Sequence, residues 1–84
     1  MELSRTDQIL CDLIKMNTIS GVYPERPCIT YIKNLFDEAG IENRVIALDD
    51  QRPNLYACIP AGIASDHKKP PILFYGHVDV VPVD

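Results

Sequence analysis

At 84 residues the chain is about half of an ordinary domain of roughly 150 residues. Its 46% hydrophobic and 24% charged residues are globular averages and exclude a disordered tail or a fibrous repeat. Eight basic against twelve acidic side chains leave a net charge of −4, so no basic face is available for nucleic acid or an anionic membrane surface.

Ser4-Arg5-Thr6-Asp7 reads as a helix start, with hydroxyl capping groups and an acid three residues on. Ile9, Leu10, Leu13, Ile14 and Met16 then recur at helical spacing, which predicts one buried stripe. The helix fades near Asn17-Thr18, and Ser20-Gly21-Val22-Tyr23-Pro24 reads as a loop. A second helix is expected from Pro27, suited to a first helical position, to Gly40, suited to the residue just past the end. Its apolar stripe is Ile29, Ile32, Leu35, Phe36 and Ala39.

The period then changes. Arg44 to Leu48 is a predicted strand, followed by a polar turn at Asp49-Asp50-Gln51-Arg52-Pro53. Asn54 to Ile59 is a second strand, and the stretch from Ala64 to Pro71 is a loop. Ile72-Leu73-Phe74-Tyr75 is apolar on both faces, as a strand inside a sheet would be. Its connection to the second strand is barely long enough for a helical crossover, which favours antiparallel pairing. The expected fold class is α/β: two helices, then three strands. A central strand needs neighbours on both sides and helices over both faces. Residues 1–84 can hardly supply them, so they read as the leading, incomplete part of one larger domain, with no second domain.

Cys11, Cys28 and Cys58 form no C-x-x-C pair, and free thiols packed as small hydrophobes are expected. No apolar run approaches a bilayer span. Met1-Glu2-Leu3 lacks the build of a secretion signal, so a cytoplasmic location is expected.

One constellation carries chemistry. Gly76-His77-Val78-Asp79-Val80-Val81-Pro82 follows the apolar run directly. In an extended backbone His77 and Asp79 project from the same face. A carboxylate there can accept a hydrogen bond from one ring nitrogen, which fixes the tautomer and leaves the other nitrogen for a metal. The carboxyl end of a buried strand is also where open α/β sheets place ligands. Gly76 allows close backbone approach, and Val78, Val80 and Val81 would supply a dry surround.

The run from Pro71 to Pro82 resembles the first metal-site motif of the co-catalytic zinc aminoacylase and carboxypeptidase family. That family includes acetylornithine deacetylase, succinyl-diaminopimelate desuccinylase and carboxypeptidase G. Arg52-Pro53-Asn54-Leu55-Tyr56-Ala57 is similar to the strand preceding that motif, and Met16-Asn17-Thr18-Ile19-Ser20-Gly21 to the family's opening segment. The resemblance implies the front of a zinc-peptidase-like α/β/α catalytic domain with a mixed sheet. It implies a hydrolase of the deacylase, dipeptidase or carboxypeptidase type that cuts an amide bond in a small acylated amino acid or peptide by metal-activated water. His77 would be a zinc ligand, and Asp79 the acid that orients it and counts with the catalytic residues. The complete enzyme would hold two zinc ions, with cobalt or manganese as alternatives.

The family's bridging aspartate, adjacent glutamate pair, later acidic ligand and final histidine would lie beyond residue 84. A catalytic zinc site needs about three protein ligands and an open position, so residues 1–84 alone are expected to hydrolyse nothing and to hold zinc weakly. A second reading is a non-catalytic truncated relative, an interaction module that pairs or self-associates through an open sheet edge. His67, beside Asp66 and Lys68, reads as a surface histidine, and Asp49-Asp50 as solvated turn residues.

Overall fold

The computed structural model describes residues 2–60 and 70–82. Helix α1 spans Arg5–Ile14, α2 spans Arg26–Glu38, β1 is Asn43–Ile46 and β2 is Asn54–Ala57. The architecture is mixed α/β. The expected loop before Pro70, with His67 in it, and the final residue Asp84 lie outside the described residues.

The start of α1 follows from its sequence. The Ser4 hydroxyl accepts from the Asp7 amide at 3.1 Å, satisfying one of the amides that a helix start leaves unpaired. The stripe on α1 is not buried as expected. Leu10 and Ile14 are exposed, while Ile9, Leu13 and Met16 are half-buried. The Tyr31 hydroxyl of α2 joins the helices by donating to the Asp12 carboxylate at 2.6 Å.

Helix α2 has no side-chain cap at Glu25. The amides of Glu25 and Arg26 donate instead to the Gln51 carbonyl, at 2.9 and 3.2 Å, so the turn between the strands closes the helix start. The far end is closed by Gly40 at φ +72°. There the Gly40 amide donates to the Asp37 carbonyl at 3.1 Å and the Ile41 amide to the Phe36 carbonyl at 2.9 Å, the paired bonds of a Schellman motif.

The strands β1 and β2 pair antiparallel, with Val45 opposite Leu55 and Arg44 opposite Tyr56. Side chains alternate across the sheet: Asn43, Val45, Leu55 and Ala57 are half-buried, while Arg44 and Tyr56 are exposed. The Arg44 guanidinium sits 5.6 Å from the Tyr56 ring centroid on that outer face. Helix α2 packs across both strands. Its inner residues Cys28 and Ile29 are the buried hydrophobics, at 2% and 8% exposure. Cys11 is half-buried and Cys58 exposed, so of the three free thiols only Cys28 packs as a core hydrophobe.

The expected third strand is corrected. Ile72–Tyr75 is not a strand, its side chains are 81–92% exposed, and no backbone bond ties it to β2. Among the described residues the sheet has two strands, so the expected antiparallel pairing of the second and third strands is not made either. A strand exists only through its ladder, and an apolar run without edge partners has nothing to hold it extended. Ile72, Leu73 and Phe74 instead flank an open groove of about 380 Å³ with Phe36, Leu55 and Ile59. No helix among the described residues is long and apolar enough to cross a membrane.

Candidate functional site

The segment that carries His77 and Asp79 is held by the loop that leaves α1. The Val80 amide donates to the Thr18 carbonyl at 3.0 Å and the Ser20 amide to the Val80 carbonyl at 2.8 Å, making a single parallel bridge between Ile19 and Val80. The Thr18 hydroxyl donates to the Val78 carbonyl at 2.7 Å. Thr18 is 4% exposed. Behind the segment, Val78, Val80 and Val81 border an apolar groove of about 360 Å³ with Leu13, Met16 and Cys28. Desolvation pushes the Cys28 thiol above its ordinary range, which keeps it a neutral packing group there.

His77 and Asp79 meet although the backbone between them forms no regular strand. The His77 Nδ1 lies 2.9 Å from Asp79 Oδ1 and 3.0 Å from the Asp79 carbonyl oxygen. A carboxylate and a carbonyl can only accept, so both bonds require the proton on Nδ1. The lone pair then belongs to Nε2, the form in which a neutral imidazole binds a metal. His77 is well exposed, Asp79 less so.

A depression of about 230 Å³ surrounds the pair. Glu25 contributes from the position just before α2 and Ile29 from within it, Pro53 and Asn54 from the entry to β2, and Tyr75 to Asp79 from the motif itself. The contact between Gln51 and the start of α2 brings these elements together. It is reinforced by Arg52 Nη1 donating to Glu25 Oε1 at 2.7 Å and by Arg26, whose guanidinium bonds to the carbonyl and carboxylate of Asp50. Asp49 and Asp50 are exposed turn residues, as expected. Asp49 Oδ1 accepts from the Gln51 amide at 3.0 Å.

Gly76 takes no close approach among the described residues: a Cβ there would meet nothing within 4 Å. Sequence reasoning missed Thr18, Glu25 and Asn54. Only the backbone path shows that Thr18 grips Val78 and that Glu25 and Asn54 border the His77 depression. Among the described residues no group of three or more His, Cys, Asp or Glu side chains comes together to hold a metal ion. The donor chemistry fits one ligand position with its orienting carboxylate.

Comparison of the chain with protein-family profiles, with curated proteins and with solved structures returned no match.

Proposed function

We propose that this chain is the leading part of a zinc-dependent peptidase or deacylase, with His77 as a metal ligand and Asp79 as the acid that orients it. The observation that carries the reading is the Nδ1 contact of His77 with the Asp79 carboxylate at 2.9 Å. It leaves the lone pair on Nε2 to face a metal, the arrangement common around histidines that bind metal. Support also comes from the depression in front of the pair and from the order of segments that resemble the aminoacylase and carboxypeptidase family. When bound, the metal would polarise an amide carbonyl and lower the pKa of a water molecule.

The residues of this chain do narrower work. Asp79 holds the Nδ1 proton and the ring orientation, and Glu25 and Asn54 border the space in front. The substrate class is a small acylated amino acid or peptide, and the remaining ligands and general base would come from elsewhere in the parent protein. Zinc titration of the 84-residue chain, followed by imidazole nitrogen resonances, tests the ligand role. A weak, saturable shift of the His77 nitrogens is expected, together with weaker zinc binding by the His77→Ala chain. A His77 resonance indifferent to zinc would overturn the role. Residues 1–84 alone are expected to be inactive, and metal-dependent amide hydrolysis by the purified chain would contradict that.

A second reading is favoured by one observation, the 81–92% exposure of Ile72–Tyr75. On that reading the chain is a non-catalytic module whose apolar run associates with a second copy.

A further inference from the structure

We infer that Thr18 is the positioning residue that sets the His77–Asp79 pair, because it holds the peptide planes on both sides of Asp79. Its functional consequence rests on the reading of His77 as a metal ligand; its structural content does not.

The argument follows the two planes. The Val78 carbonyl belongs to the peptide unit that enters Asp79, and the Thr18 hydroxyl donates to it at 2.7 Å. The Val80 amide belongs to the unit that leaves Asp79, and it donates to the Thr18 carbonyl at 3.0 Å. A peptide unit is planar and the backbone has two soft dihedrals per residue, so one residue restrains both dihedrals of Asp79. In a trans unit the carbonyl points opposite to the amide. With the Val80 amide turned onto Thr18, the Asp79 carbonyl faces the other way, and there it lies 3.0 Å from His77 Nδ1. The Asp79 carboxylate reaches the same nitrogen from the same restrained Cα. Both acceptors that put the proton on Nδ1 are therefore aimed from Thr18.

Burial separates this contact from an ordinary surface bond. Thr18 is the buried polar side chain of the described residues, at 4% exposure, whereas the His77 side chain is 73% exposed. An exposed imidazole keeps one tautomer only if its partner is held still, and the restraint on Asp79 comes from the buried side.

The test uses Thr18→Val, nearly isosteric but without the donor, and Thr18→Ser, which keeps it. Imidazole nitrogen shifts are read at a pH where the ring is neutral. The wild type should show the Nδ1–H form in excess, Thr18→Val should drift toward the mixture of free imidazole, and Thr18→Ser should match the wild type. Zinc affinity in Thr18→Val should fall about tenfold, the lower end for changes to groups that orient a ligating histidine. Unchanged amide shifts in α2 and the strands show that the fold is intact. A wild-type tautomer in a folded Thr18→Val overturns the inference, as does a drift in Thr18→Ser. Amide exchange in the wild type decides the matter if Thr18→Val does not fold: Val80 must be protected relative to Val81, and a Val80 amide as fast as Val81 overturns it. Failure of the zinc titration in the wild type would count against the metal reading alone, since tautomer and exchange are read without metal.

Discussion

The His77 ring is held by two acceptors of one residue, Asp79, and the Asp12 carboxylate by Tyr31 and Gln8, so substitutions at the two places have separable effects. Asp79→Ala removes the carboxylate acceptor of His77 and leaves the weaker carbonyl. His77 is exposed, so stability should stay within about 0.5 kcal/mol by denaturant titration. Zinc affinity should fall about 10–100-fold, as it does when the acid behind a ligating histidine is lost. Equal affinity in the variant and the wild type would remove Asp79 from the site. The Asp12–Tyr31 bond predicts a pH dependence. The Tyr31 hydroxyl, and after it the Gln8 amide, hold the Asp12 carboxyl below its ordinary value of 3.8. The same bond raises Tyr31 above 10.0. A lowered carboxyl stabilises above 3.8 and loses that contribution as the pH falls through its folded value; a raised phenol stabilises below 10.0 and loses it as the pH rises. The bond therefore supports the fold between these limits. In Tyr31→Phe, both the acid and the alkaline dependence of Tm should flatten relative to the wild type, and two unaltered limbs would rule the bond out as their source.

The two helices, the two strands and the turn between them were legible because their signals are local, whereas the pairing of β1 with β2 came only with the structure. Ser4 caps α1 three residues before its bonded amide, and Gly40 ends α2 where a positive φ is needed. Gly40→Ala puts a Cβ at φ +72°, where an L-residue costs about 1–2 kcal/mol, so the denaturation midpoint should drop accordingly. Gly76→Ala, with open space around the new Cβ, should change stability by less than about 0.5 kcal/mol. Equal losses at both positions would refute the distinction. The third strand could not be read in the same way. The apolar run at Ile72–Tyr75 has strand composition, but its state depends on edge partners, which no local signal supplies. The grip of Thr18 on Val78 was hidden for a related reason. It joins positions 60 residues apart, and neither residue type announces the other. The His77–Asp79 pair was legible from its spacing of two, which survives without a regular strand because one residue between them is short enough for the side chains to meet.

Over the whole molecule, the ratio of surface to core governs behaviour. The accessible surface is 7364 Å², against about 5,000 Å² for a compact chain of 9.4 kDa. Large apolar side chains stand open: Ile72, Leu73, Phe74 and Tyr75 are 81–92% exposed, and Leu48, Ile59 and Val81 are open as well. The groove between this run and Phe36, Leu55 and Ile59 gives that surface a concave face, and a contiguous apolar patch of this kind favours association. Self-association of residues 1–84 is the expected consequence, visible as a sedimentation coefficient that rises with concentration. Burying one Phe side chain contributes about 1.5–3 kcal/mol, so Phe74→Asp should weaken association about tenfold or more. It should leave the His77 tautomer unchanged, because Phe74 does not border the His77 depression. A wild-type chain that stays monomeric at all concentrations would show that the exposed run is tolerated in water, and the module reading would lose its support. Association that survives Phe74→Asp would move the contact to another face, with the apolar groove beside Leu13, Met16 and Val81 as the next surface to alter.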